Sequence, residues 1–274
     1  MIDREIREHG DTVTQRTIPA LSPIPHLMRS LSAQELLQVW EQGLNQPSVQ
    51  RALLLLAAAC PETSPQLLAE LSIGQRDAYL LTLREWLFGS QIASLVTCSN
   101  CGDRLELTFS VEDIRVPQDI ILQVLSLDVA DYQVQFRLPN SLDLMAIPTR
   151  YTHNQNILAV RRFLLERCLL KVESNSSEQP VSELPAEVME AVVAQMAEAD
   201  PQADVQLALC CPACKHKWQA IFDIVSFVWS EINAWAYRIL REVHTLALAY
   251  GWREADILAM SPQRRQFYLE MVGV

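Results

Sequence analysis

Two short stretches hold the residue types whose spacing could do chemistry. "CSNCGDRL" sets Cys98 and Cys101 two residues apart, and far downstream "CCPACKHKW" repeats that spacing with Cys211 and Cys214. A C-x2-C pair lets two thiolates reach one ion without strain, and zinc takes four thiolates in a tetrahedron at about 2.3 Å. Two such pairs on one Zn2+ fill the coordination shell and leave no position for water or substrate. The expected chemistry is therefore structural: an ion that ties together segments distant in sequence. The flanks agree, because each half reads strand, C-x-x-C, polar turn, strand, in "SLVTCSNCGDRLELTFSV" and "QLALCCPACKHKWQAIFDI". Thiol–disulfide exchange would need each pair at a helix N-terminus, whereas strands border both. Cys98, Cys101, Cys211 and Cys214 are the expected ligands. Cys210 offers a fifth ligand or a register alternative, but it corresponds to Thr97 of the first half and is left out of the ligand set. His216 reads as an exposed turn residue that could compete as a ligand, and the amides of Ser99, Asn100, Gly102, Ala213 and Lys215 could donate to the sulfurs. Cys60 and Cys168 fall in apolar helical segments and read as core.

Other chemistry has no foothold. The chain lacks G-x-S-x-G, H-E-x-x-H, the phosphate-cradling glycine loops and G-x-G-x-x-G. Asp200 and Asp204 flank Pro201 in what reads as a loop, with little to make them catalytic. A metalloenzyme would need a three-ligand open site, so no enzyme and no small-molecule substrate are expected. A net charge of −11 argues against nucleic acid and against an anionic membrane surface as partner. Zinc ribbons do bind nucleic acid, and "GWREADILAMSPQRRQFYL" has helix-turn-helix length. A zinc-ribbon nucleic-acid-binding regulator is thus the alternative reading, with the charge against it. The charged N-terminus has no apolar leader-like run, and the longest apolar stretch, Ala52 to Cys60, falls far short of the ~20 residues of a membrane span. A cytoplasmic protein in a reducing compartment is expected.

The elements that must position the cysteines follow from periodicity. Residues 1–31, with prolines at 19, 23 and 25, read as an extended arm. Residues 32–90 form a helical subdomain: Ser32 and Glu35 make a capping-box signature, Leu36, Leu37, Trp40 and Leu44 recur at helical spacing, and the last helix stops at Gly89. Residues 91–116 and 205–224 supply the two halves of a split zinc ribbon. Residues 117–204 are an α/β insertion between them, with a strand at Tyr132 to Leu138, a helix from about Thr152 to Lys171, a flexible polar loop at 173–185 and a helix over "AEVMEAVVAQMAEAD". Residues 225–274 are C-terminal helices, the first with Trp229, Ile232, Trp235 or Ala236, Ile239, Val243 and Leu246 on one broad face. The fold class expected is mainly α with a small β zinc ribbon formed by two distant CxxC hairpins (α+β). Tyr250, Trp252, Phe267 and Tyr268 recur at short spacing near the end. They are the candidate partner-binding residues, since Tyr and Trp are favoured interface anchors; the competing reading is ordinary core packed on the long preceding helix. Arg264 and Arg265 read as helix surface.

Several of these stretches resemble a known family. "LSAQELLQVWEQGLNQPSVQRALLLLAAACPE", "LSIGQRDAYLLTLREWLFGSQIASLVTCSNCGDRLELTF" and "LALAYGWREADILAMSPQRRQFYLEMV" are similar to proteins encoded beside contractile-tail genes. These are baseplate-hub assembly chaperone-like proteins of myophages and of extracellular contractile injection systems. The sharpest marks are "IGQRD" to "REWLFG", the two cysteine pairs, and Tyr250-Gly251-Trp252 followed by Ile257-Leu258 and Tyr268-Leu269. The resemblance implies a non-enzymatic role in building the baseplate or its hub. It implies baseplate or hub/spike proteins as partners and incorporation in a phage-like particle, and it carries over no catalytic residue.

Overall fold

The computed structural model describes residues 28–117, 124–148, 150, 157–174, 177–181 and 184–273. The arm expected over residues 1–31 lies outside these up to residue 27, as do residues 152–156 of the helix expected from Thr152.

The helical part starts where the capping signals place it. Ser32 and Glu35 close a reciprocal capping box on α1 (Ala33–Gly43), α2 (Ser48–Ala59) follows Pro47, and Ser64 caps α3 (Pro65–Glu70). A second capping box, Ser72 with Gln75, opens α4 (Ile73–Phe88), which ends at Gly89 with φ 87°. These boxes satisfy amide N–H groups that no carbonyl of the same helix can reach. The hairpin of β1 (Gln91–Thr97) and β2 (Arg104–Ser110) follows, then the short α5 (Val111–Ile114).

The described residues between 117 and 204 build a separate layer. Strands β3 (Leu125–Val129), β4 (Tyr132–Phe136), β5 (Leu169–Ser174) and β6 (Ser177–Glu178) pair antiparallel in the order β3-β4-β5-β6. Between β4 and β5 come α6 (Ser141–Met145) and α7 (Ile157–Cys168), and α8 (Ala186–Ala199) follows β6. This layer has its own apolar core of Val134, Phe136, Leu165, Val172, Leu184, Val188 and Val192. Two details depart from the sequence reading. The helix expected to run to Lys171 stops at Cys168, and Leu169–Ser174 becomes a strand. The polar stretch at 173–185 holds the end of β5 and all of β6, while residues 175–176 and 182–183 lie outside the described residues.

The chain then makes a 3-10 turn (Pro201–Ala203), the hairpin β7 (Gln206–Cys210) and β8 (Lys217–Ile221), and the long α9 (Ile224–Tyr250). Gly251, at φ 67°, ends α9 in the left-handed conformation that glycine tolerates best. Helices α10 (Glu254–Leu258) and α11 (Pro262–Val272) finish the fold, with the Ser261 side chain capping α11. Val228, Ile232, Ala236, Ile239 and Leu246 form a fully buried stripe along α9, packed against α1, α2, α4 and α11. The main core joins this stripe to Leu36, Leu55, Leu80, Leu83, Ile92 and Val111. The approach is close: a Cβ at Gly43 would lie 2.2 Å from the Trp229 ring. The molecule is therefore mixed α+β, with helices dominant and the sheets small.

Candidate functional site

The two cysteine knuckles are built alike. In the first hairpin the Cys98 amide donates to Asp103 O at 2.8 Å and the Gly102 amide to Cys98 O at 3.0 Å. In the second, the Cys211 amide donates to His216 O and the Lys215 amide to Cys211 O, both at 2.9 Å. Gly102 and Lys215 occupy the same place in each turn, and both have positive φ, 78° and 61°. Glycine adopts this conformation freely, whereas Lys215 is held there by the turn. These two amides are therefore spent on carbonyl oxygens rather than on sulfur, as the sequence reading had it. The amides that do favour a thiolate sit one residue on, at Asp103 for Cys101 and at His216 for Cys214, and the Asn100 side chain joins the latter.

The knuckles bring all four sulfurs within 4.8 Å of one another. Cys98 Sγ lies 3.7 Å from Cys214 Sγ, and Cys101 Sγ lies 3.6 Å from Cys211 Sγ. These separations are too long for a disulfide bond, and all four thiols are free. A tetrahedron of sulfurs at 2.3 Å from a central ion has edges of about 3.8 Å, so the donor set fits a four-coordinate soft or borderline metal. The thiols also divide their protons unequally. The Asn100 side chain and the His216 amide pull Cys214 down to about 6. Against the Asp103 amide, which favours its thiolate, desolvation and the neighbouring sulfurs push Cys101 up to about 12. Four thiolates this close repel one another, so a cation that binds them displaces protons.

Little besides the sulfurs joins the two tips. β1–β2 and β7–β8 are separate two-stranded sheets. Across the gap, Ser99 Oγ lies 3.2 Å from His216 Nε2, and the His216 ring stacks on Trp218. His216 is half-buried and engaged rather than a free turn residue, and it is not among the clustered ligand atoms. Cys210 is exposed and outside the cluster as well, while Cys60 and Cys168 are buried. At the base of the hairpins, Phe109 meets Phe222 edge-on at 5.6 Å, and Phe222 in turn contacts Phe227 of α9. This seats both hairpins on the helical core.

The four C-terminal aromatic residues part company. Tyr250 stacks on Trp252 with ring centres 4.4 Å apart, and Tyr268 meets both edge-on. Trp252 and Tyr268 also pack against the main core. Phe267 points away, 63% exposed, with Met271, 73% exposed, one turn along. Arg264 lies over the Tyr268 ring. Its neighbour Arg265, read from the sequence as surface, is buried, and it donates to Glu242 at 3.0 Å and to Met260 O at 2.6 Å. Among the described residues no helix is long and apolar enough to cross a membrane.

No curated protein and no solved structure matches this chain. Residues 30–229 match the family described as T4 bacteriophage base plate protein. The matched stretch runs from just before α1, through both cysteine knuckles and the layer between them, into the first turns of α9, and so covers well over half of the sequence. The chain belongs to the T4 bacteriophage base plate protein family.

Proposed function

We propose that the chain is a non-enzymatic assembly factor or structural component of the baseplate or hub of a phage-like contractile injection system, shaped by a structural zinc ion. The family match over residues 30–229 carries the reading. The four clustered sulfurs supply its physical rationale. Zn2+ on Cys98, Cys101, Cys211 and Cys214 would have a closed shell, holding two hairpins that share no strand pairing. Its partners are baseplate or hub/spike proteins, met in the cytoplasm before the chain enters a particle. The C-terminal surface around Tyr250, Trp252, Tyr268 and the outward-facing Phe267 offers such a partner an aromatic face.

Co-expression with the sheath, tube and spike proteins of its own tail tests the role. The chain is expected to co-sediment with baseplate or hub subunits, and Phe267→Ala to weaken that association. A chain that stays free and monomeric beside fully assembled tails overturns the proposal. Metal analysis of the purified protein tests the zinc: one ion per chain is expected, and a cobalt-substituted sample should show a four-sulfur spectrum.

A further inference from the structure

The seam between residues 117–204 and the helical body is built around ionisable groups that neither the cysteine cluster nor the aromatic face uses. Asp200 follows α8 where the chain turns back toward the second hairpin, and it is 4% exposed. Its Oδ2 accepts a hydrogen bond from the Gly74 amide, in the first turn of α4, at 2.9 Å. Its Oδ1 is buried and has no hydrogen-bond partner among the described residues. The fit depends on glycine, since a Cβ at position 74 would lie 2.0 Å from Oδ1. Three residues further along α4, Asp77 is also buried and is paired with Arg76, whose Nε lies 2.8 Å from Asp77 Oδ1. Arg76 reaches on to Ser141 Oγ of α6 at 3.5 Å.

The charged groups facing this seam can be named element by element. Arg76 and Asp77 come from α4, Asp200 from the end of α8, and Asp223 from the cap of α9. Asp143 of α6 is matched by Arg137 and Arg167, and Glu198 and Asp204 are exposed. One buried guanidinium thus faces two buried carboxyl groups, and a buried oxygen without a partner among the described residues calls for an explanation. Burial, followed by the charges of Asp223 and Asp200, pushes Asp77 up to about 6 against the pull of Arg76. Burial likewise pushes Asp200 up, against the Gly74 amide and the Ser72 hydroxyl.

We propose that this seam is an acid-tightened latch: protonation of Asp77 and Asp200 clamps residues 117–204 onto α4, and loss of the protons loosens them. A carboxyl that binds its proton more tightly in the folded state contributes stability that is complete below the unfolded value. That stability is lost as pH rises through the folded value. For Asp77 the window runs from the ordinary aspartate range near 4 up to about 6. The other holds on the seam do not titrate in this range: the Ile73 amide donates to Pro139 O, and the Gln202 side chain bridges Ile114 O and the Val116 amide. The latch loosens without releasing. It depends on neither the metal nor a tail partner.

Hydrogen exchange of the full-length, zinc-replete protein tests this. Protection of the amides at 73–77 and 199–203, corrected for intrinsic exchange, should fall about tenfold between pH 5 and pH 7.5. Protection within β4 and β5 should stay level. Asp200→Asn and, independently, Asp77→Asn should each shrink the difference. Equal protection at the two pH values in the parent protein overturns the latch, as does a difference that survives unchanged in both variants. Zinc lost at the lower pH would loosen the structure there, the opposite direction, so the two effects separate.

Discussion

Cys211 and Cys210 are neighbours with opposite fates. Cys211 is fully buried and its sulfur lies 3.6 Å from that of Cys101, whereas Cys210 is exposed and outside the cluster. Cys211→Ser is therefore expected to abolish stoichiometric metal binding and to lower the melting temperature by several degrees or more, while Cys210→Ser leaves both unchanged. Elemental analysis and a thermal melt check the pair. The sequence favours Cys211, because the repeat of strand, C-x-x-C, turn and strand sets the register and Thr97 stands where Cys210 does, but by itself it leaves Cys210 open as a fifth ligand. What could not be read was the wiring of the amides. Gly102 and Lys215 looked like sulfur donors by position, yet the left-handed turn aims their N–H groups at carbonyl oxygens instead. Asp200 was hidden for a similar reason. Beside Pro201 in a polar run it looks solvated, and only the missing side chain of Gly74 makes room for it inside.

Among the elements, those with strong local signals were the readable ones. α1 and α4 announce themselves through Ser-x-x-Glu and Ser-x-x-Gln boxes, and α9 through an apolar stripe that the structure buries from Trp229 to Leu246. The helix-to-strand change at Cys168 was not readable. Leu169, Leu170, Lys171 and Val172 suit either state, and pairing with β4 decides for the strand. Polar residues at 173–185 likewise point to a loop until a neighbouring strand supplies partners. Arg84 shows how elements of different kinds are locked together. Its buried guanidinium donates to Gly89 O and Gln91 O, where α4 passes into β1, and pairs with Glu231 of α9 at 2.7 Å. Arg84→Met removes every one of these bonds and leaves a half-buried carboxylate unmatched. It is expected to cost about 3 kcal/mol, read from urea denaturation, and the double variant Arg84→Met/Glu231→Leu should recover part of the loss.

At the scale of the molecule, the described residues form two apolar cores, one centred on α9 and one between β4, β5, α7 and α8. All six tryptophans lie outside residues 117–204, so fluorescence follows the helical body while circular dichroism follows both. Phe136, fully buried in the smaller core, is the residue to remove. Phe136→Ala should destabilise that layer by about 3–5 kcal/mol. It should split the melt, with an early loss of dichroism, unchanged tryptophan emission at that temperature, and zinc still bound. Chelation should do the converse, perturbing emission from Trp218 beside the cysteines before the smaller core gives way. A single coincident transition under both treatments would mean that the cores melt as one.

The Val116 amide and the Gln202 side chain are one 2.8 Å hydrogen bond apart. The chain thus leaves the frame and returns to it almost at the same point. Whatever lies between those residues is a cassette on a closed doorway. A change of length between those two residues leaves the thiolate clasp and the helices behind it free to keep their places.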